Sequence, residues 1–309
     1  MGIPATGEQH VLTLPNAGGE VTATVTELGA SLRRLVVGGT PIVQDYTSDG
    51  IPSQASGVTL VPWPNRVAGG RWTLDGEPQQ LDLTEPKAGN AIHGLLRNAG
   101  YRVTDRSESA ITLAARVFPQ HGYPFLLDVS VRFELVEDGI AVTHGVHNTG
   151  DSRAPVGIGV HPYLRVGDTP MRDLSVQVLA DTVFETDGGI PTGTRPVDGT
   201  AEDLRSGRPL ADADLDTPFT DLALVDGRVR HRVVAPDGRA VELHADPGFA
   251  FAQVFTSRIY ETDEGRIDAV AIEPMTCAPD ALNNGRGLTW LEPGEQLVVS
   301  WGIRLLPAT

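Results

Sequence analysis

The sequence predicts an all-β fold, a large antiparallel β-sandwich or barrel forming one domain over residues 1–309, and three observations carry the prediction. Apolar and polar residues alternate with period two at 21–25, 127–135 and 174–178, the pattern of strands with one buried and one solvated face. Turn signals such as Glu137-Asp138-Gly139 and Pro236-Asp237-Gly238 separate the β-like runs as hairpin connections do. No amphipathic pattern of ten or more residues predicts a helix, and residues 277–284 have room for a single short turn of one.

The elements follow in chain order. In 21–25, Val21, Ala23 and Val25 share a face and two threonines take the other. Runs 111–117 and 127–135 come next, the latter with Leu127, Val129, Val131, Phe133 and Leu135 on one side and Asp128, Ser130, Arg132 and Glu134 on the other. Run 140–146 follows the Glu137-Asp138-Gly139 turn. After 174–178, the polar stretch 191–209, rich in Gly, Pro and Asp, reads as a long loop. Runs 229–235 and 240–245 flank the Pro236-Asp237-Gly238 turn, and 249–255, 269–272 and 296–305 complete the set. Composition is similar before and after 191–209, so no domain boundary is placed there, and no repeat of solenoid or propeller period occurs.

At 40% hydrophobic, 309 residues can build a sizeable core. A formal charge of −16, from 24 Lys and Arg against 40 Asp and Glu, argues against nucleic acid or an anionic membrane surface as partner. One cysteine, Cys277, allows neither an internal disulfide nor a Cys-based zinc site, and its neighbours supply no base to activate it. Residues 1–20 contain no basic region followed by an apolar stretch, and no run is long enough to span a bilayer, so the expectation is a soluble cytoplasmic protein. Met1-Gly2-Ile3-Pro4-Ala5-Thr6 formally fits the myristoylation pattern, with no second anchor beside it.

Five segments set polar residues beside Gly and Pro. Val156-Gly157-Ile158-Gly159-Val160-His161-Pro162-Tyr163 reads as a short apolar strand that stops at a histidine, because Pro162 cannot donate to a ladder. Imidazole is the side chain most easily tuned for proton transfer near neutrality, yet a lone His at a strand end is more often a structural residue. In Pro62-Trp63-Pro64-Asn65-Arg66-Val67, Arg66 can donate to hydroxyls or carboxylates, or tie down a loop through carbonyls. In His93-Gly94, the glycine allows a close approach. Leu215-Asp216-Thr217-Pro218-Phe219 is the fourth. In Ala271-Ile272-Glu273-Pro274, a glutamate ends an apolar strand, where partial desolvation would raise its pKa and suit it to general-base work. Two decoys fall away. Asp212-Ala213-Asp214-Leu215-Asp216 starts like an EF-hand loop but has Thr217 and Ala223 where Gly and Glu are required. His144 and His147 fall on opposite faces of one strand.

Together these segments resemble the aldose 1-epimerase (galactose mutarotase) family. The matching pieces, in family order, are Asn65-Arg66-Val67 with Gly70 and Trp72, His93-Gly94, His161-Pro162-Tyr163 and Asp216-Thr217-Pro218-Phe219. Gln253-Val254-Phe255-Thr256, Ile272-Glu273-Pro274, Asp280 with Asn283, and Leu291-Glu292-Pro293-Gly294-Glu295 follow. The resemblance implies a β-supersandwich that binds a pyranose, with Glu273 as general base and His161 as general acid. It implies that Arg66, His93, Asp216 and Gln253 hold sugar hydroxyls with Asn65 and Tyr163 beside them, and that neither metal nor organic cofactor takes part. Two departures stand out. Leu164 and Arg165 follow His-Pro-Tyr where many relatives have an aromatic and Asn, and Phe255 replaces a frequent Tyr, both expected at or near the pocket.

The implied chemistry explains the residue types. A hemiacetal changes anomer by opening to the aldehyde, rotating and reclosing, so one group takes the C1 hydroxyl proton while another protonates the ring oxygen. A carboxylate and an imidazolium on opposite sides of the sugar are expected to do this. Arg66 and His93 can stabilise charge on oxygen, and Asp216 can orient the ring. The partner is then a monosaccharide, and the protein a monomer or homodimer. Three rivals remain: a hexose-6-phosphate 1-epimerase using Arg97 and Arg71 for phosphate, a glycoside hydrolase using Asp216 and Glu273, and a non-catalytic sugar-binding relative.

Overall fold

The computed structural model describes residues 3–308, so the first two residues of the myristoylation-like hexapeptide lie outside it. Nearly all regular structure is antiparallel β. One sheet runs through Gln9–Asn16, Gly19–Thr26, Ser31–Val37, Thr40–Val43, Tyr163–Leu164, Gly265–Met275, Phe251–Thr262, Asp216–Leu222, Ala180–Asp187 and Ile190–Pro196. The other runs through Arg102–Arg106, Ala110–Val117, Leu127–Val136, Gly139–Asn148, Gln296–Leu306, Ala240–Ala245, Arg228–Val234, Ser175–Val178 and Arg208–Pro209. One apolar cluster draws Val254, Val270 and Ile272 from the first sheet and Val131, Val241, Leu243 and Ile303 from the second, so the two sheets face each other across a common core. Among the described residues the one α-helix is Ala281–Asn284, inside the segment expected to hold a helical turn, and no helix is long and apolar enough to cross a membrane.

Alternation sets which face each strand buries. In Leu127–Val136 the five odd-numbered apolar residues are buried and the residues between them are not. Both predicted hairpins form: Val136 pairs with Gly139, and Val234 pairs with Ala240 across the second turn.

Three local expectations need correction. Residues 191–209 are not a loop throughout, because Ile190–Pro196 pairs with Ala180–Asp187 and Arg208–Pro209 pairs with Ser175–Val178. These are edge strands with little burial, where proline is tolerated and an apolar face is not required, so their composition looks like a loop. The run ending at His161 is not one strand. Ala154–Val156 pairs with Thr289–Leu291, and Gly159–Val160 joins the large sheet. The break falls at Gly157, where a Cβ would overlap Cys277 Sγ. Glu273 does not end its strand, which continues to Met275.

That last point places the site. Gly159 pairs with Met275 and Tyr163 with Ala271. Stepping two residues inward from either pair sets His161 directly opposite Glu273. Pro162 and Pro274 both lie in this interval, so the ladder is open there. The strand beyond Pro162 resumes at Tyr163, so the proline interrupts pairing without ending it.

Two core histidines make the fold acid-sensitive. His144 Nε2 accepts a hydrogen bond from Trp301 Nε1–H at 2.8 Å, and among the described residues neither ring nitrogen of His231 has a partner. Burial pushes their pKa values down to about 3 and about 4 respectively, against roughly 6.5 when unfolded. A depressed native pKa means that the unfolded chain binds more protons below pH ~6.5. The contribution to stability is therefore complete above that pH and is lost as pH falls towards 4 and then 3. Urea unfolding free energies from pH 7 down to pH 4 are expected to decline, with a limiting slope of about 1.4 kcal/mol per pH unit for each histidine. His231→Leu is expected to remove one such contribution; an unchanged slope would show that His231 does not titrate with unfolding.

Candidate active site

The site grows from the central strands of the first sheet. Gln253 pairs with Glu273 and Asp216 with Phe255, while Val254, Ile272 and Val270 turn to the core. The side chains of Glu273, Gln253, Phe255 and Asp216 therefore share the opposite face. They line a cavity of about 290 Å³, with Asn65, Arg66, His93 and His161 also in its wall. That volume lies near the lower end of small-molecule pockets, roughly 300–1,000 Å³, and suits a ligand about the size of one sugar ring. Seven of the eight predicted residues thus converge on one cavity. Larger clefts, of about 610 and 650 Å³, contain none of the eight.

Tyr163 is the exception. It is fully buried and does not line the cavity. Its ring stacks behind His161 at 5.2 Å and an 18° interplanar angle, and packs on Tyr260 at 4.6 Å. Its hydroxyl donates to Gln54 Oε1 at 3.4 Å. Tyr163 thus backs the imidazole.

His161 Nε2 lies 3.3 Å from Glu273 Oε1, and both side chains are almost wholly buried. Glu273 Oε2 makes no hydrogen bond among the described residues. Burial drives the two groups in opposite directions. The Glu273 carboxyl is raised well above the usual range by desolvation and then by Asp216, against the pull of Arg66. Desolvation lowers the His161 imidazole to about 4. A proton shared by the pair therefore rests on the carboxyl, and the imidazole is neutral. The two groups sit side by side, not on opposite sides of a ligand-sized gap as expected.

Polar side chains around the pair hold one another. Asn65 Nδ2 donates to Gln253 Oε1 at 3.1 Å, and Gln253 Nε2 donates to Asp216 Oδ1 at 2.6 Å. Asn65 Oδ1 accepts the Arg66 backbone N–H at 2.8 Å, which fixes the orientation of both amides. His93 Nδ1 accepts the Asn65 backbone N–H at 3.2 Å, so the neutral ring carries its proton on Nε2. Desolvation, His161 and nearby arginines keep His93 neutral, with its pKa well below the ordinary value. Arg66 donates from Nε and Nη2 to Glu85 at 2.9 and 3.0 Å, and its Nη1 is 3.7 Å from Asp216 Oδ2. Asp280 accepts the Ala68 N–H and donates its own N–H to the Arg66 carbonyl, anchoring the Arg66 strand.

The family model for aldose 1-epimerase matches residues 10–303. The chain belongs to the aldose 1-epimerase family. It is 31% identical over 286 residues to the uncharacterised Escherichia coli K12 protein YihR, covering 92% of this chain and 90% of that one. It is 28% identical over 222 residues to the aldose 1-epimerase of the same organism, covering 65% and 62%. The fold matches the GalM/aldose epimerase homologue from C. elegans with a TM-score of 0.83 at 19% identity, over 98% of this chain and 100% of that one. It also matches galactose 1-epimerase from Lactobacillus acidophilus with a TM-score of 0.76 at 19% identity, over 98% and 99%.

As an aldose 1-epimerase family member, the chain departs from the expected pattern at positions that the structure separates. Phe255 lines the cavity. Leu164 pairs with Val270 and turns into the core, while Arg165 binds the Gly167 carbonyl and Asp168 beside a different cleft. The departure at Leu164 and Arg165 thus falls away from the pocket. Sequence reading missed Gln54, Thr84, Glu85 and Ile92, which also line the cavity. Gln54, Thr84 and Glu85 have no local mark and arrive through loop packing, whereas Ile92 precedes His93 on a short strand that pairs with Arg66–Val67.

Gly94, expected to allow a close approach, admits the backbone of Val61. It has φ +69°, and a Cβ there would overlap the Val61 carbonyl. Gly94→Ala is expected to lower stability by more than the roughly 1–2 kcal/mol that the left-handed conformation costs alanine. Urea denaturation checks this; an unchanged midpoint would show that the Val61 backbone yields freely.

Proposed function

We propose that the protein is an aldose 1-epimerase that interconverts the α and β anomers of a free aldohexose such as glucose or galactose, by acid–base ring opening and reclosure. The observation that carries this reading is the 3.3 Å contact between His161 Nε2 and Glu273 Oε1 inside a cavity lined by polar side chains able to bond hydroxyls. The two oxygens that exchange protons in anomerisation are both bonded to C1. An acid and a base lying side by side match that arrangement better than a pair split across the ring.

In the forward step Glu273 takes the C1 hydroxyl proton and His161 gives one to the ring oxygen, which breaks the C1–O5 bond. This requires the proton to rest on His161 beforehand, and Arg66 favours that state by stabilising the Glu273 carboxylate. After opening, Glu273 is protonated and His161 neutral, the distribution that burial prefers. The pocket thus favours the charge state of the open-chain complex over that of the ion-paired ground state. Rotation about C1–C2 presents the other carbonyl face, and reversed transfers close the ring. Within this reading Asp216, Arg66, His93 and Asn65 orient hydroxyls, and Gln253 holds Asp216. Glu273 pairs with an imidazole while Asp216 is tied to Gln253, which disfavours the two-carboxylate hydrolase reading.

One observation favours a second substrate class. Arg97 lines the cavity and, among the described residues, forms no ion pair with a carboxylate, so it can receive an anionic substituent such as a sugar 6-phosphate. Arg71 lines a separate cleft and does not support that reading. The free-sugar reading is preferred because Arg66 and Arg97 are balanced within the cavity wall by Glu85 and Asp216.

Polarimetry of freshly dissolved α-D-glucose and α-D-galactose is expected to show accelerated mutarotation. Glu273→Gln and His161→Asn are each expected to lower kcat by about 10²-fold or more while the circular dichroism spectrum stays native. Near-normal turnover in either variant would remove that residue from its role. Arg97→Ala is expected to leave the free sugars nearly unaffected; selective loss of glucose 6-phosphate anomer exchange, followed by NMR, would instead establish the phosphosugar reading.

A further inference from the structure

Arg66 is held on two sides by parts of the chain that lie far from it in sequence. Glu85 engages Nε and Nη2 in a two-point fork, and both side chains are mostly buried. On another side is the tip of the hairpin between Ala180–Asp187 and Ile190–Pro196. Asp187 pairs with Ile190, leaving the two-residue turn Gly188-Gly189 with φ of +57° and +81°. Both residues take the left-handed region that such a turn requires. Their surroundings differ. A Cβ on Gly188 would meet nothing, whereas a Cβ on Gly189 would overlap Arg66 Nη1 and come within 2.8 Å of Cζ. Nη1 is the one guanidinium nitrogen without a hydrogen bond among the described residues, and it sits 3.7 Å from Asp216.

We propose that Glu85 and the Gly188-Gly189 turn form a clamp that positions Arg66 with Nη1 turned to the bound sugar. The inference rests on the epimerase reading, and it makes Glu85 and Gly189 positioning residues that act through Arg66. The clamp has a geometric part and an electrostatic part. A guanidinium on a flexible stem loses rotamer freedom when it binds; a fork that holds two nitrogens in advance removes much of that cost. Glu85 also offsets the charge of Arg66, the cation that favours the ionised form of Glu273. Without Glu85 the site is one unit more positive, and every proton held by the His161–Glu273 pair leaves at lower pH.

Three substitutions separate these parts. Glu85→Gln is expected to lower kcat/KM on the order of 10- to 100-fold and to move the whole pH–rate profile to lower pH. Glu85→Asp keeps the charge but shortens the reach, so it is expected to lower kcat/KM with little movement of the profile. Gly189→Ala is expected to lower kcat/KM roughly tenfold, while Gly188→Ala, which also places alanine in the left-handed region but without the overlap, stays close to wild type. The Arg66 Nε–H signal, assigned in ¹⁵N NMR by its absence in Arg66→Lys, is expected to be protected from exchange in the wild type and to lose protection in Glu85→Gln. An unmoved pH profile and a protected Nε–H in Glu85→Gln would overturn the role of Glu85. Equal effects of the two glycine substitutions would overturn the role of the turn. Failure of the wild type to accelerate anomer exchange of any sugar would overturn the epimerase reading itself, and the Nε–H signal would still decide whether the clamp exists.

Discussion

Antiparallel register is the constraint on which the site depends. One row across three strands carries His161, Glu273 and Gln253, with Glu273 in the middle. Directly opposed side chains on one face of a sheet are close neighbours, so the register alone brings the imidazole to the carboxyl. A slip of one residue in either pairing would turn Glu273 into the core and Ile272 into the cavity. The opposite face is packed with Val254, Val270 and Ile272, so core packing enforces the register that the chemistry needs. The prolines at 162 and 274 fall where the ladder is open. Their missing donors therefore cost no strand pairing there, and the gap leaves the His161 and Glu273 side chains facing each other.

The electrostatics follow from that placement. A carboxyl and an imidazole buried together repel their own ionisation, so the pair prefers one proton and no net charge. Arg66 opposes this by favouring the carboxylate, and it is itself offset by Glu85 and Asp216. The two tautomers of the pair are thus set against each other by burial on one side and by a shielded cation on the other. That balance suits a reaction whose forward and reverse steps move the same two protons. The proposed clamp bears on this balance, because the influence of Arg66 on Glu273 depends on its distance from the pair.

How much was legible in the sequence varies with the kind of information each residue carries. Strongly alternating strands such as Leu127–Val136 and Arg228–Val234 could be read directly, because one face is buried more deeply than the other. Edge strands such as Ile190–Pro196 could not, since they bury little and tolerate proline. The chemical residues were recognisable as polar side chains in apolar or Gly/Pro contexts, and seven of them reach one cavity. The eighth, Tyr163, shares the motif with His161 but stacks behind its ring, a distinction that period-two alternation hides by setting 161 and 163 on one face, and that only packing resolves. Glu85 carried no local signal: its fork with Arg66 joins strand and loop segments that meet only in the folded chain. The Gly188-Gly189 turn did carry one, a glycine pair after an acidic residue, but its meaning lies in what the tip touches.

The same separation between local and assembled information applies to charge. The chain as a whole carries −16, which sets how it meets polyanions and surfaces. The cavity wall does not share that excess, because Arg66 and Arg97 stand against Glu85 and Asp216 while the His161–Glu273 pair holds one proton without net charge. A neutral hemiacetal entering such a site meets paired charges that can hydrogen-bond its hydroxyls without a net field to overcome. An anionic sugar would need an uncompensated cation, and Arg97 is the cavity-lining arginine that, among the described residues, has no carboxylate partner. Selectivity between the two therefore turns on whether Glu85, already committed to Arg66 by two hydrogen bonds, still screens Arg97 across the cavity. The clamp on Arg66 and the choice of substrate are in this sense one electrostatic problem, centred on a single carboxylate.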